Sequence, residues 1–227
     1  MNDSSGLDSP IEIVWQCDIA IAVNKPSGIA TQAPAGIDSV ETRLTSQLGR
    51  EEDYLAFPHR LDRAVSGVLL VALSKRAARL LSGQFATRKT SKQYIAIVEG
   101  TADVDECWED YLCKLQGKPQ TEVVSAETEG AKRATTNVST IEIDRDNNQT
   151  RLLLKPHTGR MHQLRVQTSS RGFPIVGDDL YGAEHPVDAV SSSGNESHRR
   201  ILLHACQLDF HHPVSGKRIS VFAPCPF

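Results

Sequence analysis

The sequence predicts an α+β fold with an antiparallel or mixed sheet. Strand-like patterns outnumber helical ones along the 227 residues. The regular alternation of strands and helices that is typical of a parallel sheet is absent, and no internal repeat is visible. With 39% hydrophobic and 23% charged residues, the chain has the composition of an ordinary globular domain with a substantial core.

The first half of the chain predicts three strands and two helices. Short apolar segments bounded by polar residues predict strands at 11–15, 19–23 and 67–73. A first helix follows Asp38 or Ser39, either of which can cap it, and ends near Gly49. Ser74 caps a second helix, in which apolar residues recur at helical spacing and leave basic side chains on the solvent side.

The second half predicts mainly strands. They are expected at 92–98, 121–126, 134–143, 150–155 and 201–210, followed by a hairpin through 213–216. A helix is predicted from Thr158 to about Ser170. The acidic stretch between Asp103 and Asp110 is predicted to be a solvated connection. Residues 183–199, which are rich in Ser and Gly, are predicted to be a mobile surface loop.

Charge and hydropathy exclude two classes of protein. A net charge of −3 argues against a protein whose whole surface is basic. No apolar run approaches the ~20 residues that a membrane-spanning helix needs. The N-terminus lacks the basic and apolar segments of a signal peptide, so we expect a cytoplasmic protein with no membrane partner, and we expect it to be a monomer.

Neither a disulfide framework nor a metal site is predicted. The five cysteines are odd in number and include no Cys-x-x-Cys pair. His157 and His162 lack the glutamate of a His-Glu-x-x-His motif. We therefore expect reduced, mostly buried thiols and no bound metal.

Two windows of the sequence are strongly basic. Between Tyr54 and Val98 the only acid is Asp62, and between Arg151 and Gly177 there is none. The basic residues of the two windows are Arg60, Arg63, Lys75, Arg76, Arg79, Arg88, Lys89, Lys92, Arg151, Lys155, Arg160, Arg165 and Arg171. Such windows can neutralise the phosphates of a nucleic acid, and two ordinary solvated faces are the equally good alternative.

Asp62 is the sharpest chemical signal. It lies in a short polar segment, next to Arg60 and Arg63 and between apolar runs. Neighbouring positive charge keeps a carboxylate ionised, which suits it to act as a nucleophile or a base. The structural alternative is an aspartate that caps backbone donors in a turn.

The motif His59-Arg60-Leu61-Asp62, followed by Ser66-Gly67, resembles the catalytic motif of the RluA family of pseudouridine synthases. The resemblance extends over nearly the whole chain. Segments similar to the other motifs of that family lie, in order, at 24–28 (opening motif), 92–96 (tyrosine motif), 155–166 (arginine motif), 172–182 and 203–205. Two positions depart from the pattern: Val65 stands where the family usually has Thr, and Gln167 where it usually has His.

The resemblance implies a pseudouridine-synthase-type catalytic domain over residues 11–227, preceded by a disordered tail at 1–10. Because so few residues precede the first predicted strand, the chain resembles the minimal form without an N-terminal RNA-binding domain. The implied reaction isomerises uridine within structured RNA, rRNA or tRNA, after the base is flipped out. No atom is gained or lost, so no cofactor is expected.

Three catalytic residues are implied by the same resemblance. Asp62 acts at the sugar, as a nucleophile or as an elimination base. Arg165 pairs with Asp62 and keeps it ionised, whereas taken alone it reads as a surface residue. Tyr94 stacks on the uracil, whereas taken alone it reads as a half-buried packing residue.

Four substrate-binding residues are also implied. Arg60 fills the stack that the flipped base leaves, because a guanidinium both stacks and binds phosphate. Leu203 packs on the second face of the uracil or is plain core. Lys25 contacts phosphate or caps the end of a strand, and Arg160 binds the RNA.

Two other functions compete with this interpretation. A non-catalytic RNA-binding module would fit the basic windows but would leave Asp62, Tyr94 and Arg165 together unexplained. A hydrolase using Asp62 and a histidine would need a Gly-x-Ser-x-Gly motif or a second carboxylate nearby, and the sequence has neither.

Overall fold

The computed structural model describes residues 10–34, 36–49, 54–187 and 200–227. The strands are β1 (Glu12–Cys17), β2 (Ala20–Lys25), β3 (Ser66–Ala72), β4 (Ser91–Glu99), β5 (Asp105–Lys114), β6 (Thr121–Val124), β7 (Lys132–Asp144), β8 (Gln149–Pro156), β9 (Leu203–His211) and β10 (Arg218–Phe222). The helices are α1 (Val40–Gln47), α2 (Lys75–Ala86) and α3 (Gln163–Ser169), with a 3₁₀ turn at Asp179–Tyr181.

The chain divides into two compact units. The first unit comprises Met1–Thr90, Asp188–Arg200 and Gln207–Pro224, and the second comprises Ser91–Val187, Ile201–Cys206 and Cys225–Phe227. Strand β9 contributes its first four residues to the second unit and the rest to the first. The single domain over 11–227 stays a prediction.

The first unit is built on antiparallel pairs. β2 lies between β1 and β3, and β10 pairs with the second half of β9. All seven residues of β3 are buried, as its continuous apolar run predicts. Helix α2 closes this core by packing Ala77 and Leu81 with Leu70 and Phe210. The polar face of the same helix is left in water.

The second unit has the strand order β4-β8-β7-β5-β6, in which every pair is antiparallel. Its short helix α3 packs on β5, β6 and the 3₁₀ turn. Mainly antiparallel strands with three helices make an α+β fold, which confirms the predicted fold class.

The predicted starts of the first two helices are confirmed. The Ser39 hydroxyl accepts a hydrogen bond from the Thr42 amide, and the Thr42 hydroxyl accepts one from the Ser39 amide, a reciprocal capping box. The Ser74 hydroxyl caps α2 by accepting from the Ala77 amide. Each cap satisfies amides that the first helical turn leaves without partners.

The prediction of a solvated connection between Asp103 and Asp110 was wrong. Strand β5 begins at Asp105 and pairs with β7. Trp108 and Leu112 point inward and are buried, while Asp105 and Glu109 alternate to the exposed face. The many acidic residues of this segment concealed the alternation of buried and exposed residues that is typical of a strand.

The predicted start of the third helix at Thr158 was also wrong. Helix α3 begins only at Gln163, because His162 has left-handed backbone angles (φ 52°, ψ 23°) that a continuous helix does not allow. Residues 158–162 form a turn instead.

Most of the predicted tail (1–10) and of the predicted mobile loop (183–199) lies outside the described residues. Within the described ranges, no helix is long and apolar enough to cross a membrane.

Candidate active site

In the first unit, Asp62 lies in a turn whose neighbours are held by hydrogen bonds. Before it, the Leu61 amide donates to the Thr31 hydroxyl (3.3 Å), and that hydroxyl donates back to the Leu61 carbonyl (3.0 Å). After it, the Val65 amide donates to the Asp62 carbonyl (3.1 Å). These bonds use backbone atoms of the turn, so the half-buried carboxylate of Asp62 is presented from a fixed backbone.

Arg63 ties the same turn to the segment that follows β2. The Gly28 amide donates to the Arg63 carbonyl, and the Arg63 Nε donates to the Gly28 carbonyl, both at 2.8 Å. Gly28 has a φ of 91°, which favours glycine at this close approach. The turn of Asp62 and the segment after β2 are therefore joined by two hydrogen bonds between Gly28 and Arg63.

Lys25, at the end of β2, is fully buried (0% exposed). Its ammonium donates to the carbonyls of Pro26 (2.8 Å), Ile29 (2.8 Å) and Arg63 (3.2 Å). All three hydrogens of an ammonium are thus used on backbone oxygens. Of the two roles that the sequence leaves open for Lys25, these contacts favour the cap at the end of the strand over a phosphate contact.

Burial lowers the pKa of Lys25 from 10.5 to about 7; the Asp62 carboxylate opposes the shift and the Arg63 guanidinium adds to it. Between these two values the unfolded chain binds the proton more tightly than the folded protein does. Stability must therefore rise with pH across this window, by up to about 1.4 kcal/mol per pH unit from this one group.

We expect Lys25→Met to flatten that rise. Urea unfolding at several pH values between 7 and 10 gives the slope for the wild type, for Lys25→Met and for Lys89→Met, an exposed control. The control should keep the wild-type slope. Parallel profiles for wild type and Lys25→Met would contradict the lowered pKa of Lys25.

The other predicted residue of the first unit, Arg60, is exposed and directly precedes the anchored Leu61. His59, one residue earlier, accepts a hydrogen bond from the Leu70 amide (3.0 Å) through Nε2 and stacks on Phe85. These contacts give His59 a structural role.

In the second unit, Tyr94 lies on β4 opposite Leu154 of β8 and is half-buried. Leu203 begins β9 and is buried (3% exposed). The neighbouring Leu202 carbonyl accepts from the Ile97 amide of β4, at 3.0 Å. Tyr94 and Leu203 therefore stand on strands of one unit.

Arg165 is buried in α3 and forms an ion pair that the sequence analysis missed. Its Nε and Nη2 donate to the two carboxylate oxygens of Asp178, at 2.6 and 2.7 Å. The guanidinium carbon also lies 5.0 Å from the centre of the Tyr181 ring. A guanidinium has five N–H donors, so this pair is compatible with a second carboxylate partner. The predicted pairing of Arg165 with Asp62 stays a prediction.

A chain of polar side chains fixes α3 against the sheet of the second unit. The fully buried Gln167 accepts from the Thr136 hydroxyl (2.6 Å) and donates to Asp110 (2.6 Å). Asp110 also accepts from Arg171, at 3.0 and 3.2 Å. Gln167, which departs from the family pattern, thus has both ends of its amide satisfied.

The turn before α3 is organised by Gln163. Its amide oxygen accepts from the Thr158 hydroxyl (2.7 Å) and the Arg160 amide (3.1 Å), and its nitrogen donates to the Thr136 hydroxyl (2.9 Å). The half-buried Arg160 donates through Nε to the Arg133 carbonyl, at 3.0 Å. The backbone of residues 158–163 is therefore fixed by hydrogen bonds within the protein.

Comparison with known proteins identifies the family. The family model described as RNA pseudouridylate synthase matches residues 19–170, which include Asp62, Tyr94 and Arg165. The chain belongs to the RNA pseudouridylate synthase family. It is 36% identical over 217 residues to the dual-specificity RNA pseudouridine synthase RluA of Escherichia coli K12, covering 95% of this chain and 93% of that one. It is 39% identical over 209 residues to the RluA of Yersinia pestis (90% and 94% covered).

Two solved structures share the fold. Human RNA pseudouridylate synthase domain containing 1 matches with a TM-score of 0.78 and 27% identity, covering 97% of this chain and 85% of that one. Human RNA pseudouridylate synthase domain containing 4 shares the fold, with a TM-score of 0.72 at 23% identity (95% and 88% covered).

In this pseudouridylate synthase, the predicted site residues fall into two groups. Asp62, Arg60 and Lys25 belong to the first unit. The second unit brings together the other four: Tyr94, Leu203, Arg160 and Arg165. The residues that sequence reasoning missed are Asp178, the ion-pair partner of Arg165, and the buried glutamines of α3.

Asp178 left two signals in the sequence, and the first is its place in the segment 172–182, which is similar to a family motif. The second is that it is the first acid after the acid-free window from Arg151 to Gly177. An acid in that place has many possible basic partners, and only the fold selects Arg165. Gln163 lies within the segment 155–166 and Gln167 at a departure from the family pattern, but the sequence does not indicate their partners, which come from β7, β5 and the turn before α3.

Proposed function

We propose that this RNA pseudouridine synthase flips a uridine out of structured rRNA or tRNA and isomerises it, with Asp62 acting at the ribose. The membership of the family makes the protein an isomerase that modifies RNA. The observation that carries the finer proposal is the fixed turn of Asp62, in which backbone bonds on both sides hold the only acid of a basic window.

In this mechanism the N-glycosidic bond breaks, the uracil turns, and its carbon 5 bonds to the ribose. Asp62 attacks the sugar or removes a proton from it. Tyr94 stacks on the uracil, and Leu203, buried at the start of β9, offers it an apolar surface. Carbon 5 loses a proton when it bonds to the ribose, and nitrogen 1 gains one when the glycosidic bond breaks, so no cofactor or external reductant is required.

Binding of the RNA backbone is assigned to the basic windows. The exposed residues Lys75, Arg76 and Arg79 lie on the outer face of α2, and Arg88 follows its end. Phosphate contacts of this kind release counterions and set the affinity, whereas the reacting sugar sets the rate. We also propose that the protein acts in the cytoplasm as a monomer.

A base-resolution map of pseudouridine in total RNA tests the function, in cells with and without this protein. The expected result is one or a few uridines that are modified only when the protein is present. The relatives are named dual-specificity enzymes, so the map covers every RNA class. An unchanged map, together with RNA binding by the purified protein, would favour the non-catalytic binding module.

The contribution of α2 is tested by its salt dependence. We expect Arg79→Ala/Arg88→Ala to flatten the plot of log affinity against log salt by up to about 1.8, because each lost phosphate contact removes about 0.9. The Michaelis constant should rise while turnover is kept, since these contacts are the same in ground and transition states.

The control is Arg145→Ala/Lys217→Ala, which removes the same charge from exposed positions outside both basic windows. Its slope should match that of the wild type. If the α2 variant also kept the wild-type slope, the basic face of the helix would be an ordinary solvated surface.

A further inference from the structure

Lys92 lies on the inward face of strand β4. Side chains alternate along a strand, so Lys92 shares its face with Tyr94, Ala96 and Val98. Ala96 and Val98 are completely buried (0% exposed). A lysine is an unusual residue to continue such a face, because its charge loses hydration there.

The ammonium of Lys92 is partly desolvated and has no counter-charge among the residues that the structure describes. Lys92 is half-buried, and its burial lowers the pKa of the group. Within the described parts of the chain, no acceptor forms a hydrogen bond with its Nζ and no carboxylate forms an ion pair with it. The contrast with Lys25, whose three donors are all used on carbonyls, is direct.

The ammonium of Lys92 lies next to Gly159, an exposed residue in a turn that hydrogen bonds hold in place. The Nζ lies 3.5 Å from the place that a Cβ would take on Gly159. Gly159 is exposed and belongs to the turn that Gln163 fixes through Thr158 and Arg160. The ammonium of Lys92 therefore lies beside an exposed glycine, which has no side chain to keep a ligand away.

We propose that Lys92 is a phosphate-binding residue for the nucleotide that Tyr94 contacts. This inference rests on the proposed function, and it names the group of the RNA that the ammonium holds: a non-bridging phosphate oxygen at or next to the flipped uridine. The single negative charge of a phosphodiester supplies what the desolvated cation lacks. Neutral oxygens of the uracil ring would leave that charge uncompensated.

The position agrees with such a contact. Residues two apart on a strand are about 6.6 Å apart along it, roughly the distance from a base to its own backbone. Arg160 directly follows Gly159 and adds a second positive charge to this turn. Lys92 would thus fix the backbone of the nucleotide whose base stacks on Tyr94.

The first test compares Lys92→Met and Lys92→Arg with the wild type, on a stem-loop RNA that contains a uridine from the pseudouridine map. Lys92→Met should weaken binding about tenfold and lower the salt slope by about 0.7–0.9. Lys92→Arg should restore most of both. The exposed control Lys118→Met should match the wild type. Without RNA, Lys92→Met should be at least as stable to urea as the wild type, because it removes a desolvated charge.

The second test replaces single phosphates near the target uridine by neutral methylphosphonates. At one linkage the replacement should weaken RNA binding by the wild type about tenfold. The same replacement should leave RNA binding by Lys92→Met unchanged. If every linkage acted equally on both proteins, or if Lys92→Met bound like the wild type, the inference would be wrong. A loss of stability in Lys92→Met would instead indicate a structural lysine.

The two proposals fail in different ways. A wild-type protein that forms no pseudouridine in any RNA overturns the proposed function and the Lys92 contact with it. A wild type that forms pseudouridine, beside a Lys92→Met variant with unchanged affinity and salt slope, overturns the Lys92 contact alone.

Discussion

Asp62→Asn is expected to reduce pseudouridine formation by roughly 10⁴-fold or more, the usual scale for removing a group that acts directly on the reacting atoms. Asparagine has nearly the same shape but is neither a nucleophile nor a base at neutral pH. RNA affinity should stay within a few-fold, because phosphate contacts provide most of it.

The fold should tolerate this substitution. The bonds that hold the turn run through the backbone of Leu61, Asp62 and Arg63 and the side chains of Thr31 and Lys25. Conversion of a mapped stem-loop RNA is measured in single turnover, with Asp18→Asn, an exposed carboxylate in the β1–β2 turn, as the control. Substantial conversion by pure Asp62→Asn would rule out a direct role for the carboxylate.

Local signals in the sequence were sufficient for most elements of the fold. The buried run of β3 and the caps Ser39 and Ser74 depend on residues close together in the chain, and the structure has them where they were predicted. Strand β5 was missed although Trp108 and Leu112 carried its inward pattern. The four acidic residues of this strand outnumber the two buried apolar residues, so the charge pattern hides the strand period.

The elements that could not be predicted depend on distant partners. The start of α3 is set by Gln163, which bonds to Thr136 of β7, twenty-seven positions away. The burial of Lys25 depends on the Arg63 carbonyl, thirty-eight positions away. The hydrophobic periodicity of a sequence does not predict such pairs, because each pair forms only after the strands have assembled.

The candidate site shows the same limit. The family motifs were enough to select Asp62, Tyr94 and Arg165, since these residues stand inside contiguous motifs. The partner of Arg165 was not selected: Asp178 is thirteen residues away, across the end of α3 and a loop. The contacts that support a site are more dispersed along the chain than the residues that carry its chemistry.

The second large effect is expected at Arg165, and the Asp178 pair determines how it must be tested. Arg165→Met should abolish activity, as the predicted role beside Asp62 requires. It should also destabilise the fold by about 3–5 kcal/mol, because it leaves the buried Asp178 carboxylate (1% exposed) without its cation. Loss of activity in this single variant therefore does not separate a catalytic from a structural arginine.

The double variant Arg165→Met/Asp178→Leu separates the two. Replacing both members of a buried ion pair by apolar residues is often neutral for stability, so most of the lost free energy of unfolding should return. If Arg165 acts on the reacting groups, the restored protein will remain inactive, with RNA affinity within a few-fold of the wild type. Urea unfolding and single-turnover conversion of the same RNA measure both quantities. Recovery of activity together with stability would show that Arg165 serves only to neutralise Asp178, and the pairing with Asp62 would then be wrong.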